Sequence, residues 1–328
     1  MSRPIRLPWL LLAAAASIAL WQAAETFALR SGPDSAVLRA AAATMQRAAE
    51  VIRKEKTQRG LMQGEVLDPN RTGLIGPEWS ETTTTLGNLQ AKRTLTNPDT
   101  AALVARLLHE SHLKAGDAVA VVLSGSFVGG NVAVMSAVEA YGLRPAVLSS
   151  LGASMYGAAD PSFTWLDMES AVRTARIWRT GSLAAMLGGE SALARDLGDQ
   201  PRRDLEAAAR RAGVPLTGGS TLADVVTGSA TALGLDAAAD ARPRLLINVG
   251  GAQASLGDCA ESADIPPGLI TQSLPCSRGT PGLVHAALAR GIPVLNIHKV
   301  KDLAQRYGLP LDPVPLPVPG GNAFIYGN

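Results

Sequence analysis

Two serines, a lysine–arginine pair and a run of threonines are the side chains whose types and spacing could do chemistry in this sequence. Ser124 and Ser126 stand in the turn LSGSFVGGN, Leu123 to Asn131, directly after an apolar run. Backbone amides in a glycine-containing turn between a strand and a helix can cradle an anion or an oxyanion. Each serine therefore reads as a nucleophile or as a ligand for a carboxylate, with Gly125 letting the backbone approach the ligand. The alternative is that small residues merely permit a tight turn. SGSFVGG is neither GxSxG nor GxGxxG, and the sequence holds no GxxxxGK, so the hydrolase-elbow, dinucleotide and nucleotide signatures are missing. No cofactor is expected.

Lys92 and Arg93 lie in GLIGPEWSETTTTLGNLQAKRTLTNP, Gly73 to Pro98, a stretch of hydroxyls and glycines without a clear period. Arg can grip a carboxylate bidentately while Lys supplies a mobile charge, so the pair suits an anionic substrate. A lysine desolvated beside Ser124 or Ser126 can instead serve as the base of a Ser-Lys hydrolase. A surface pair that only solubilises a loop is the plainer reading. Thr82, Thr83 and Thr84 can donate hydroxyls to the same anion or cap backbone groups.

Asp167 and Glu169, in the loop SSLGASMYGAADPSFTWLDME that also carries Ser154, would share a face if extended and divide acid and base roles or hold a metal. If a helix begins at Met168, they are first-turn acids beside its dipole. His109 and His112 flank Glu110 as HESH, one residue short of the HExxH zinc spacing, on an expected solvated helix face. His298 follows an apolar run. No metal site is expected.

These residues need elements to position them. Val37, Ala41, Met45, Ala48 and Ile52 recur at three and four within Ser35 to Lys56, an amphipathic helix whose end Arg53, Lys54, Glu55, Lys56 reads as solvated. Glycines and prolines then break Gly60 to Pro77 into a connection. Consecutive threonines favour extended backbone because they are β-branched. Asn97 and Pro98 form a helix start.

Ala118 to Leu123, AVAVVL, suits a strand buried on both faces of a parallel sheet. The turn SGSFVGG, a helix from Asn131 to Tyr141, a stop at Gly142 and a strand at Ala146 to Leu148 complete a βαβ unit. Both strand ends then deliver serines and glycines to the carboxyl edge, where ligands of open α/β sheets bind. Helical segments are expected at Met168 to Trp178, Leu183 to Leu187, Arg202 to Ala212, Leu222 to Leu233, Pro281 to Arg290 and Lys301 to Tyr307. Strands are expected at Arg244 to Val249 and Ile292 to Ile297, with a long loop to Thr280 after the first.

The composition is globular, with 47% hydrophobic and 18% charged residues. A net charge of +2 excludes a general nucleic-acid binder, which needs a concentrated basic face. Arg3 and Arg6 precede the apolar run Leu7 to Trp21, which predicts a signal anchor with the bulk of the chain outside the cytoplasm; cleavage to a secreted form is the rival. Cys259 and Cys276 can close a disulfide in such an oxidising compartment. The expected organisation is an anchor at 1–29, the amphipathic helix and its connection at 30–72, and an extracytoplasmic α/β domain at 73–328. That domain has a parallel-type sheet with flanking helices, and 183–233 can form a helical subdomain.

The strings GLIGPEWSETTTTLGNLQAKRTLTNP, GDAVAVVLSGSF, SSLGASMYGAADPSFTWLDME and NVGG, Asn248 to Gly251, resemble the family named poly-gamma-glutamate system protein. The resemblance is strongest from Gly73 to Glu169. It implies a single-pass cell-membrane protein belonging to a system that makes and exports poly-γ-glutamate, and it implies no particular activity. The expected function is an accessory factor that binds the anionic polymer beside its synthase and export complex. Thr83, Thr84, Lys92, Arg93, Gly125, Ser154 and Asp167 would be its binding residues. The alternative is a serine-dependent hydrolase or amide transferase acting on γ-glutamyl linkages through Ser124 or Ser126.

Overall fold

The computed structural model describes residues 14–20 and 35–327. Residues 14–20 are helical and exposed; the rest of the expected anchor at 1–29 lies outside the described residues. Among the described residues no helix is long and apolar enough to cross a membrane.

A six-stranded sheet organises the chain. Its strands are β2 (Ala118–Ser124), β3 (Arg144–Ser150), β5 (Ser182–Met186), β6 (Leu246–Val249), β7 (Gly268–Ile270) and β8 (Val294–Ile297). They lie in the order β5-β3-β2-β6-β8-β7, parallel except for β7 at one edge. The chain steps outward from β2 through β3 to β5, then returns to place β6 on the other side of β2. A doubly wound sheet has its crevice where that direction reverses, at the carboxyl ends of β2 and β6.

Alternation along the strands builds two cores. Val119, Val121 and Leu123 face α1 (Ser35–Arg59), α3 (Asp99–Glu110) and α4 (Val128–Tyr141), meeting Met45, Leu107 and Met135. Ala120 and Val122 face the opposite layer, which contains α7 (Leu222–Ala232) and α9 (Leu283–Leu288). Each fully buried Leu or Val contributes roughly 1.5–3 kcal/mol. The βαβ unit is as expected, and Gly142 closes α4 at φ 71°.

A smaller two-stranded parallel sheet pairs β1 (Thr83–Thr85) with β4 (Ala153–Ser154). It fastens the threonine run to the loop after β3, and so carries the next helix, α2 (Leu89–Thr94), toward the carboxyl edge. Asn88 caps α2 by accepting a hydrogen bond from the Ala91 amide at 2.9 Å.

Three expectations are corrected. Leu183 to Leu187 is not helical: Leu148 pairs with Ala184 and Ser150 with Met186, so the run forms the edge strand β5. An apolar run this short carries no period to separate helix from strand, and the open edge of β3 decides. The segment 183–233 thus starts in the main sheet and continues through α6 (Asp199–Ala212) and α7.

The end of α1 is not wholly solvated. Lys56 lies one turn beyond Ile52 on the same stripe and is buried, its Nζ donating to the Ile75 carbonyl at 3.0 Å. Burial lowers its pKa to about 8, opposed by the charges of Asp68 and Asp160. Helix α5 (Trp165–Thr174) starts three residues before Met168, because Asp167 turns back to accept hydrogen bonds from the Thr164 amide and hydroxyl at 2.7 and 2.8 Å.

Cys259 and Cys276 are joined by a disulfide. It closes the long loop that also supplies β7. The tail crosses back over α2 and α3 and ends in α11 (Ala323–Tyr326), after α10 (Val300–Tyr307).

Candidate active site

A cavity of about 460 Å³ opens at the carboxyl edge of the sheet, at the reversal between β2 and β6. Its wall takes Ser124 from β2, Ser150 from β3, Ser154 from β4, Thr84 and Thr85 from β1, and Lys92 from α2. Gly251 and Gln253 follow β6, and His298 follows β8.

Lys92 lies at its floor. Its side chain is buried, and Nζ donates to the carbonyl oxygen of Ser126 and to Ser154 Oγ, the latter at 2.8 Å. The nitrogen also stands 5.1 Å from the centre of the Phe127 ring, which offers the ammonium a face of negative charge. Among the described residues no carboxylate forms an ion pair with it. Burial without a counter-ion penalises the charged form and brings the pKa down to about 7. Near neutral pH much of the amine is therefore unprotonated, with a lone pair able to accept the Ser154 hydroxyl proton.

The serines form a connected set. Ser126 Oγ accepts from the Ser154 amide at 2.9 Å, and Ser124 Oγ accepts from the Ser126 amide at 3.2 Å. The turn is closed upon itself. The Gly125 amide donates to the Ser150 carbonyl at 2.8 Å and that of Phe127 to the Ser124 carbonyl at 3.0 Å. The amides of Gly125, Ser126 and Phe127 thus serve the turn's own geometry rather than a ligand. Gly125 is required for another reason: a Cβ there would stand 2.6 Å from the Leu151 carbonyl oxygen, where the ends of β2 and β3 converge.

The structure brings Lys92, Ser124, Ser126, Ser154 and Thr84 together and separates the others. Arg93 is not at the cavity; adjacent helical residues point about 100° apart, so the face that buries Lys92 turns Arg93 outward. Its guanidinium grips the Asp312 carboxylate with two hydrogen bonds, through Nε at 2.7 Å and through Nη2, and holds the tail. Asp167 and Glu169, two residues apart on α5, project in different directions for the same reason. Asp167 caps the helix and pairs with Arg211 at 2.7 Å. Glu169 is buried, accepts from the Ser182 amide and hydroxyl at 2.8 and 3.0 Å, and has its pKa raised to about 7 by burial. Thr83 Oγ1 accepts from the Ser80 amide at 2.9 Å, which makes it a capping group, and the Thr82 hydroxyl donates to the Ala159 carbonyl at 2.5 Å.

His298 does reach the cavity. Its Nδ1 is buried without a hydrogen-bond partner, and desolvation and the charge of Lys299 lower its pKa. Glu190, Asp196 and Gln253 also line the cavity and were not singled out from the sequence. Glu190 and Asp196 follow β5, in the stretch whose pattern reads as helix. The backbone there is unusual: Ser191, Ala192 and Ala194 all have positive φ, between 53° and 59°. Such conformations are costly outside glycine and gather at functional sites. The Gln253 side chain accepts from the Ser191 amide at 2.6 Å and locks this loop to the end of β6.

Among the described residues no group of three His, Cys, Asp or Glu side chains could hold a metal ion. No family model, curated protein or solved structure matches this chain.

Proposed function

We propose that the cavity performs acyl transfer at an amide bond, with Ser154 as nucleophile and Lys92 as its base. The observation that carries this reading is the 2.8 Å contact between Ser154 Oγ and a buried lysine amine that has no counter-ion. Neutral Lys92 takes the hydroxyl proton as Ser154 Oγ bonds to the substrate carbonyl carbon. The resulting ammonium returns that proton to the departing nitrogen as the C–N bond breaks. Water or a second amine then attacks the acyl-serine, Lys92 accepting its proton, and the serine hydroxyl is restored. Phe127 and the Ser126 carbonyl stabilise the transient ammonium.

The substrate we assign is a γ-glutamyl amide of poly-γ-glutamate, in a membrane-anchored extracytoplasmic component of the system that makes and exports that polymer. The long strings from Gly73 to Glu169 support the system, and the basic and apolar start of the chain supports the anchor. The disulfide supports an oxidising compartment.

A second reading is retention of the polymer without cleavage. The feature that favours it is the same unpaired Lys92, for which a polymer carboxylate would be the counter-ion. Incubating the purified protein with poly-γ-glutamate and sizing the product separates the two. Shortening or amine exchange that is lost in Ser154→Ala supports acyl transfer. Unchanged length with retained binding supports the second reading, and neither binding nor cleavage rejects the polymer as ligand.

A further inference from the structure

A second cavity, of about 430 Å³, lies between α7 and α9 beneath the disulfide-closed loop. This volume falls within the range of small-molecule sites. Val226 of α7, Ala286 of α9, and Leu274 and Cys276 of the loop give it mainly apolar walls.

His285, on α9, also lines it. The residue is 6% exposed, and neither ring nitrogen has a hydrogen-bond partner. Burial lowers its pKa, opposed by the Pro275 carbonyl, which stands near the ring without meeting full hydrogen-bond geometry, and by the charge of the Glu261 carboxylate. Buried polar atoms are seldom left unpaired, and those that are point to a missing partner.

Arg290 stands exposed at the same wall, and among the described residues no Asp or Glu lines the cavity. One guanidinium nitrogen donates to the Ala286 carbonyl at 2.8 Å, which places the group over the helix end and leaves its other donors for a ligand. Apolar walls, a buried imidazole without a partner and an arginine without an opposing carboxylate specify the occupant's chemistry.

We propose that this cavity is a second ligand site, which takes a small amphiphile with a hydrocarbon body and a terminal carboxylate. The hydrocarbon lies along Val226 and Leu274, and the carboxylate accepts hydrogen bonds from His285 and Arg290. The site is separate from the Lys92 cavity and does not rest on the acyl-transfer reading.

Octanoate is the test ligand, with octanol as its uncharged counterpart, titrated calorimetrically into the full chain in detergent. Binding of one octanoate per chain is expected, with a shift of the His285 ring proton resonances. Octanol should bind about tenfold more weakly or worse, since hydrogen bonds to a charged group are lost. His285→Phe and Arg290→Gln should each weaken octanoate to a similar degree. Because His285→Phe can disturb folding, Ala289→Phe is the companion variant: Ala289 is exposed at the cavity wall, so its enlargement fills the site from outside the core. Lys92→Met should leave octanoate binding unchanged. The proposal is overturned if octanoate does not bind, if octanol binds equally well, if Ala289→Phe retains full affinity, or if Lys92→Met abolishes binding.

Discussion

Lys92 Nζ and Ser154 Oγ lie 2.8 Å apart, although 62 positions separate the two residues in the chain. The pairing of β1 with β4 makes the contact, because Thr85 opposite Ser154 brings α2 down on the end of β3. Among the described residues no carboxylate pairs with Lys92, so its charge is uncompensated and its amine is available as a base near neutral pH. The proposed acyl transfer rests on this pair, and so does the pH behaviour expected of the fold around it.

Ser154→Ala should abolish amide cleavage, by about 10³-fold or more, since a nucleophile and its base act as one unit. Lys92→Met should cost about as much, and the double variant little more than either. Lys92→Arg should also be inactive because a guanidinium does not deprotonate. In the wild type, rates of amine release should climb as pH rises through about 7, when Lys92 loses its proton. Full activity in Ser154→Ala would end the assignment, whereas Ser124→Ala should stay within about tenfold of wild type.

Lys92 should also make stability depend on pH. Its folded pKa of about 7 lies below the ordinary lysine value of 10.5, so between these values the unfolded chain binds more protons. The penalty of burying the charge is full below about pH 7 and is relieved as pH rises toward 10.5. Relative to Lys92→Met, the wild-type Tm should rise across that window. The difference should be flat below pH 7, and a flat difference throughout would show that the amine is solvated.

Glu169 should act with the opposite slope over a lower range. Its folded pKa of about 7 exceeds the ordinary glutamate value of 4.5, so the folded state holds the extra proton between them and stability falls as pH rises through that interval. Glu169→Gln keeps an oxygen for the Ser182 amide and removes the buried charge. It should therefore be more stable than wild type above pH 7 and nearly equal to it at pH 4.5, as read from urea midpoints at the two pH values.

Arg93→Ala should weaken the tail rather than the chemistry. The Arg93–Asp312 pair is only 21% and 13% exposed, between a surface pair and a buried one, so losing one partner should cost about 1–3 kcal/mol. Limited proteolysis should reach residues 310–327 sooner, with the rate of amide cleavage unchanged. A double-mutant cycle with Asp312→Ala gives the coupling directly.

Local pattern made much of the fold legible. The uninterrupted apolar run AVAVVL, the small-residue turn and the glycine stop after Tyr141 specify a buried strand, a crossover helix and a parallel partner, because each depends on neighbouring residues alone. The same reasoning locates Ser124 and Ser126 at the carboxyl edge, since strand ends and the loops after them gather there. It does not reach β5 or the loop after it, because SLAAM has no period and becomes a strand only by pairing with β3. Glu190 and Asp196 were illegible for that reason.

Sequence alone thus determined the βαβ unit at β2 to β3, the layered α/β class and the carboxyl edge as the place for a ligand, all consequences of short-range preference and burial. Tertiary structure decided which charged and hydroxyl groups meet there. Helical rotation of about 100° per residue parts Lys92 from Arg93 and, over two residues, Asp167 from Glu169. Long-range strand pairing joins Lys92 to Ser154. A burial that only the assembled core imposes then turns an ordinary ammonium into an amine that titrates near pH 7.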